Sequence, residues 1–370
     1  MKAHIAVIAG DGIGPEVTAE AVRVLEAIAK RADHSFRLTP AAFGGAAIDL
    51  CGDPLPEATL NLCLEADAVL LGAIGGPKWS DPKAKVRPEQ GLLKLRKSMG
   101  VYANLRPVSV HPALREASTL KPEVLEGVDL VFVRELTGGI YFGDKQRTAT
   151  SASDLCLYTV GEIERIVRVA ARLASARSGR LHSIDKANVL ETSRLWREVC
   201  ERVVKSEFPK LRLEHMLVDS AAMHLIRRPK DFDVAVTENM FGDILTDEAS
   251  MLAGSLGLLP SASLGDARRG LYEPIHGSAP SLAGKDVANP VGTILSASMM
   301  LRESFGLASE AEWIESAVDR LFSNGIRTPD IVEPGTTKVG CIEFGEQLIS
   351  EMAGSVEKWG KEQLRQGSRA

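Results

Sequence analysis

No run of 18 or more apolar residues occurs in this 370-residue chain, so no membrane-spanning helix is expected. There is no basic block either. The formal net charge is −5, which leaves nucleic acid without an electrostatic footprint. The start, MKAHIAVIAGDG, meets Asp11 too soon to hold the apolar centre of a signal peptide, and a cytoplasmic protein is expected. Cysteine is sparse and scattered: Cys51, Cys63, Cys156, Cys200 and Cys341, odd in number and without C-x-x-C. That excludes a disulfide framework or a zinc site and favours reduced thiols, most of them acting as small buried apolar groups. Internal repeats and low-complexity segments are missing as well.

What is present is an ordinary globular composition, 45% apolar and 25% charged, in a chain long enough for two domains. Strand-like and helix-like stretches alternate. HIAVI precedes a helical pattern over Val17–Ala32, then come SFRLT, the apolar stretch in PEATLNLCLEA and ADAVLLGAIGG. Later follow DLVFVREL, VGEIERIVRVAARLASA, RLHSI, ETSRLWREVCERVV, EHMLV and DVAVT. In VGEIERIVRVAARLASA, Val160, Ile163, Val167, Ala170, Ala171 and Ala174 recur at helical spacing. Such alternation predicts an α/β layer fold with a largely parallel sheet. Two regions break it. Residues 138–159, GGIYFGDKQRTATSASDLCLYT, read as a hairpin arm and a candidate inter-subunit element. Residues 261–290, rich in Gly, Ala, Ser and Pro, form an irregular stretch whose length points to function. The last dozen residues are polar and are expected to fray.

AGDGIGPE, Ala9 to Glu16, lies between strand and helix, where dinucleotide-binding proteins hold a pyrophosphate. Gly10 and Gly12 fit G-x-G-x-x-G, but Pro15 takes the third glycine's place and Gly14 comes one residue early. The second strand ends in TPAAFGG, without the acid that would hold ribose hydroxyls. Glu16 already sets a carboxylate at the positive helix end, where a phosphate would meet repulsion. The reading goes against a Rossmann turn.

Several other segments carry reactive groups. In NMFGDILTDEAS, Asp243 and Asp247 are four apart and project from one helix face, either as ligands for a hard divalent cation or as a solvated acidic helix start. Asp219 follows an apolar strand, where it reads as a site residue or as an N-cap. Arg96, Arg106 and Arg134 offer guanidinium forks for carboxylates, or ordinary ion pairs. Tyr141 after a Gly-Gly turn and Lys186 after a strand suit acid–base work if burial and neighbouring charges shift them. EPIHGSAPSLAG could wrap a ligand with backbone N–H groups, His276 being equally readable as structural.

AGDGIGPE, RPEQGLLKLRKS, ANLRP, VRELTGGIYFG, DKANVLE, FGDILTDEAS and EPIHGSAP, in this order over nearly the whole chain, resemble the β-decarboxylating dehydrogenases. ELTGGIYFG is specific to that family, whereas AGDGIGPE alone would not separate its members. The resemblance implies two domains sharing one continuous, largely parallel, non-Rossmann sheet: a cofactor-binding domain from 1–101 plus 255–370, and a smaller substrate, metal and dimerisation domain from 102–254. It implies that Arg96, Arg106 and Arg134, with Glu89 nearby, hold the substrate carboxylates. It also implies that Asp243 and Asp247, with Asp219 of the partner subunit, hold Mg²⁺ or Mn²⁺. Lys186 of the partner subunit becomes the base for the C2 hydroxyl, and Tyr141 the acid that protonates the enol. NAD is expected on the EPIHGSAP loop, with Glu273, His276, Gly277, Ser278, Ala279, Ser281 and Asn289. Ile13, Gly76 and Asn188 are expected beside it, and K⁺ is a candidate further cofactor.

Within the family, Leu92, Leu93 and Val189 imply an apolar wall suited to an isopropyl group, so 3-isopropylmalate is the expected substrate, in leucine biosynthesis. An extra carboxylate buried against leucine would be costly. One departure stands out: NAD-using members usually carry Asp after HGSAP, where this chain has Ser281 and then Leu282. The competing readings are a sister enzyme acting on isocitrate, homoisocitrate, malate or tartrate, a non-catalytic regulatory subunit, and an unrelated phosphate- or metal-binding module. A homodimer with shared active sites, and no nucleic-acid or membrane partner, completes the expectation.

Overall fold

The computed structural model describes residues 1–81 and 83–353. The polar last dozen residues expected to fray lie outside the described residues. Two compact units emerge, one of Met1–Leu92 with the chain from Tyr272 onward, the other of Leu93–Leu271. The boundaries fall at 92/93 and 271/272, where 101/102 and 254/255 were expected; the first lies inside the helix Pro88–Met99.

In the first unit, strands run in the order Ser35–Pro40, Lys2–Gly10, Ala68–Ala73 and Leu271–Pro274. The first three pair in parallel. The helix Gly14–Arg31 buries Val17, Ala21, Val24, Leu25 and Ile28, one stripe at helical spacing, and packs on the helix Val291–Glu303. Each such side chain contributes about 1.5–3 kcal/mol of burial. Pro15 sits in the first turn, where its missing N–H is not needed. The stretch PEATLNLCLEA supplies a helix, Glu57–Glu65.

In the second unit the order is Pro260–Leu264, Ala103–Ser109, Asp129–Glu135, Val234–Thr237, Arg180–Asp185 and Arg212–Leu217. The last four are mutually parallel, while Ala103–Ser109 runs antiparallel to both neighbours. The helix Val160–Ala176 starts at a capping box in which Thr159 and Glu162 satisfy each other's backbone N–H. It buries Ile163, Val167, Ala170, Ala171 and Ala174 as the spacing predicts, but Val160 is exposed because it is the first residue after the cap. Ile166 joins the stripe in its place.

The arm region contains an antiparallel hairpin of Lys145–Arg147 and Ala152–Asp154, every residue exposed. The stretch 261–290 is less irregular than expected: Pro260–Leu264 and Leu271–Pro274 are strands. Small residues such as those of PSASL carry little strand propensity, and pairing with neighbours decides their conformation. All five cysteines are free; Cys63, Cys200 and Cys341 are buried, Cys51 is exposed and Cys156 half-buried. No described helix is long and apolar enough to cross a membrane.

Candidate active site

In the second unit, the strand Asp129–Glu135 carries Arg134 as its penultimate residue and packs against the helix Asn239–Ser250. Close approach needs Gly242: a Cβ there would stand 2.6 Å from Arg134 Cγ. Arg134, only 3% exposed, donates from Nε and Nη2 to Asn239 Oδ1 at 3.1 and 2.9 Å, and from Nη1 to Asp243 Oδ1. Tyr141, at the end of the short turn Gly139–Tyr141, donates its hydroxyl to the other Asp243 oxygen at 2.8 Å. Arg106 donates to Asn104 Oδ1 at 2.7 Å and to Thr246 Oγ1 at 2.6 Å, and stands 3.4 Å from Asp247 Oδ1. Arg96 is buried too. Asn104, Asn239 and Thr246 were not singled out in the sequence; only helical spacing from Asp243 hinted at Thr246.

The electrostatics tie these groups together. Burial, then repulsion from Arg134 and Arg96, lowers the Arg106 pKa to about 10. Burial and the hydrogen bond to Asp243 push the Tyr141 pKa up to about 12. At Asp243, burial acts to raise the pKa, but Arg134, Tyr141 and Arg106 outweigh it and hold the carboxyl low. At Asp247 burial prevails over Arg106, repulsion from Asp243 adds to it, and the pKa is raised. The cluster thus holds three guanidinium groups against two carboxylates and suits an anion.

The two aspartates fit a hard divalent cation. Each Asp243 oxygen accepts one hydrogen bond and keeps a lone pair, and the Asp247 side chain is 66% exposed. Among the described residues no three His, Cys, Asp or Glu side chains gather to hold a metal. Asp219 is instead engaged by Lys186, whose Nζ lies 2.5 Å from its Oδ1 and lowers its pKa. It stands in the first turn of the helix Val218–Arg227 with Leu217 at the cap, so it is not the N-cap. Asn188 and Val189 lie exposed beside Lys186. Leu93 is half-buried.

In the first unit, the glycine turn packs against the 278 loop. Ile13 N–H donates to the Ser278 carbonyl at 2.7 Å, and a Cβ on Gly12 would fall 2.0 Å from that oxygen. A Cβ on Gly10 would meet the Ala73 carbonyl at 1.9 Å. These glycines therefore serve close backbone approach. The Asp11 carboxylate, 4% exposed, accepts from the backbone N–H groups of Gly45, Ala46 and Gly75 at 2.7–2.8 Å. That organising role was not read from the sequence. Burial raises the Glu16 pKa at the start of the helix. Ile13 is buried with Val17, Ala288 and Cys341, against Ala279.

On the loop itself, His276 Nδ1 pairs with the Gly277 carbonyl at 2.8 Å, while Nε2 is buried without a partner among the described residues. Burial lowers its pKa, so it is a neutral ring with an orphaned acceptor. Ser278 donates to the Gly75 carbonyl at 2.7 Å. Ala279 holds a positive φ of 35°, Gly76 one of 156°. Asn289 has both amide ends engaged, by Asp330 and by the Val291 N–H. Glu273 is buried, Gly277, Ser281 and Glu89 are exposed, and Leu92 is half-buried. The orphaned His276 nitrogen and the close-packed loop fit a bound cofactor.

In the second unit, a mostly parallel sheet and a buried arginine cluster facing two carboxylates define the class of site that takes an anionic substrate; the loop with the orphaned acceptor lies in the first unit. Residues 4–348 match the model of the isocitrate/isopropylmalate dehydrogenase family, and the chain belongs to that family. It is 55% identical to the 3-isopropylmalate dehydrogenase of Rhodopirellula baltica, over 95% of this chain and 100% of that one. It is 58% identical to that of Anaeromyxobacter dehalogenans, over 94% and 100%. Among solved structures it resembles isocitrate dehydrogenase from Methylococcus capsulatus, with a TM-score of 0.83 and 32% identity over 95% of this chain and 99% of that one. It also resembles a β-decarboxylating dehydrogenase from Thermococcus kodakarensis, with a TM-score of 0.77 and 36% identity over 96% and 97%.

Proposed function

We propose that this chain is an NAD-dependent 3-isopropylmalate dehydrogenase of leucine biosynthesis, which oxidises and decarboxylates 3-isopropylmalate to 4-methyl-2-oxopentanoate and CO₂. It works in the cytoplasm as a homodimer whose exposed hairpin arm takes part in assembly. Each active site takes Lys186 and Asp219 from the partner subunit. The observation that carries the reading is the convergence of Arg106, Arg134 and Tyr141 on Asp243 and Asp247. The names of the curated relatives support the choice of substrate.

Arg96, Arg106 and Arg134 bind the two substrate carboxylates and orient C2 and C3. Their low exposure strengthens each charge–charge contact, since little water screens it. Asp243, Asp247 and Asp219 of the partner subunit would hold Mg²⁺ or Mn²⁺. A bound NAD would supply a hydride acceptor, and a cation held by these aspartates would supply Lewis acidity. Lys186 of the partner subunit accepts the C2 hydroxyl proton. After CO₂ leaves, its bonding electron pair stays on the substrate as an enol, and the Tyr141 hydroxyl delivers a proton to C3. Asp243, itself fixed by Arg134, holds that hydroxyl in place. Leu92 and Leu93, with Val189, exclude water from the isopropyl group and disfavour a third carboxylate.

The test is cofactor reduction with 3-isopropylmalate, isocitrate and malate, each with NAD and NADP, with Mg²⁺ or with chelator. Chelator-sensitive turnover of 3-isopropylmalate with NAD is the expected result. Preferred turnover of isocitrate or malate would overturn the substrate, and preferred NADP the cofactor.

A further inference from the structure

At the amino end of the strands Arg180–Asp185 and Arg212–Leu217, opposite the end that carries Lys186, lies a polar cavity of about 220 Å³. Parallel register pairs Arg180 with Arg212 and His182 with Glu214, which places all four on one sheet face. The helix Val218–Arg227 adds His224, and the turn after it adds Arg228 and Asp231.

The hydrogen-bond pattern leaves positive charge unspent. The Arg212 side chain makes no hydrogen bond or ion pair among the described residues, while its backbone N–H donates to the Gly179 carbonyl at 2.9 Å. Arg228 reaches Asp231 only at 3.4 Å, and its Nη2 lies 3.3 Å from both ring nitrogens of His224. Arg180 donates from Nη1 to the Asp231 carbonyl at 3.1 Å and from Nε to Ser178 Oγ at 3.3 Å, neither of them a carboxylate. Glu214 Oε2 stays 3.9 Å from His182 Nε2, beyond hydrogen-bond reach. His182 itself is 5% exposed, and its Nδ1 is buried without a partner among the described residues. Three guanidinium groups against two carboxylates make a cationic recess in a chain of net charge −5.

We propose that this cavity binds a phosphate group. Three guanidinium groups, arriving from two strand ends and a helix end, need an anion with acceptors facing several directions. A tetrahedral phosphate offers them, where a planar carboxylate faces one way. The site is separate from the substrate arginines, and no step of the proposed reaction uses it.

The experiment is isothermal titration of the full chain at constant ionic strength, with inorganic phosphate in one arm and glycerol 3-phosphate in the other. A double variant, Arg212→Ala with Arg228→Gln, alters only exposed residues and keeps wild-type turnover in phosphate-free buffer. The expected result is binding that weakens at least about tenfold in this variant. A parallel titration followed by proton NMR shifts the His224 ring signal, identified by its loss in His224→Gln. Tighter glycerol 3-phosphate assigns the site to a phosphorylated metabolite, and equal binding to free phosphate. No binding at millimolar concentrations, or binding unchanged in the double variant with an unmoved His224 signal, overturns the proposal.

Discussion

The Tyr141 hydroxyl donates to Asp243 Oδ2 at 2.8 Å, while Arg134 holds Oδ1 of the same carboxylate. Burial and that bond lift the Tyr141 pKa from 10 to about 12. The folded value lies above the unfolded one, so its contribution to stability is full below pH 10 and is lost as pH rises toward 12. The phenol therefore stays protonated throughout the assay range. Tyr141→Phe is expected to lower kcat by about 10²–10³-fold while changing stability by about 1 kcal/mol or less. An alkaline limb below pH 10 that disappears in Tyr141→Phe would contradict this assignment.

Asp243 and Asp247, the aspartates proposed to hold the metal, respond oppositely when metal is absent. Asp243 is held low despite burial, so its contribution is present above the ordinary carboxylate range and is lost as pH falls through its folded value. Asp243→Asn leaves Arg134 without its carboxylate and should cost about 2–3 kcal/mol. Asp247 is raised, chiefly by burial, so its contribution is full only below the ordinary carboxylate pKa and is lost as pH rises. Asp247→Asn should raise the Tm of the metal-free protein by about 1 °C. Both variants should lose the Tm increase given by Mn²⁺. Thermal melts with chelator and with Mn²⁺ separate these outcomes.

Gly12 is constrained twice, by a φ of 58° and by the Ser278 carbonyl 2.0 Å from any Cβ. Gly52 has a similar φ of 79° but open space around it. Gly12→Ala should cost about 2–4 kcal/mol, against about 1 kcal/mol for Gly52→Ala. Because the displaced loop carries His276, the KM for NAD should rise more than the KM for the acid substrate. Equal stability losses would show that φ alone matters here.

Lys186 and Tyr141 are proposed to come from different subunits of one site. A mixture of inactive Lys186→Ala and Tyr141→Phe chains, refolded together, then forms hybrids with one intact site each. Activity should return to about a quarter of wild type, because half of random dimers are hybrids and half of their sites are complete. No recovery in mixed dimers would place both residues in the same subunit.

Ser281 is exposed on the loop proposed for NAD. An aspartate there would accept from both ribose hydroxyls and repel a 2′-phosphate. Ser281→Asp should raise the NAD-to-NADP ratio of kcat/KM by about tenfold. An unchanged ratio would remove this position from cofactor choice.

Local pattern made most elements legible. HIAVI and DLVFVREL are strands, and the 3.6-residue period of VGEIERIVRVAARLASA is a helix, because burial of one face imposes those periods. The short strands Pro260–Leu264 and Leu271–Pro274 escaped that reading, since PSASL is built of small residues and LYEP is only four residues long, so neither shows an apolar period. Val160 broke its own pattern because capping set the helix start immediately before it.

By itself, the sequence determined the reactive inventory: the arginines, the paired aspartates four residues apart, Tyr141, Lys186 and the loop of His276. It also argued against a Rossmann turn at Gly10–Gly14, through the misplaced Pro15 and the carboxylate of Glu16. Only the tertiary structure decided that Arg134 and Tyr141 divide the two oxygens of Asp243, that Lys186 pairs with Asp219, and that Asp11 collects three backbone N–H groups. Those arrangements join residues dozens of positions apart. Spacing along the chain encodes neighbours within a helix or strand, whereas burial and charge pairing across elements exist only once the chain has folded.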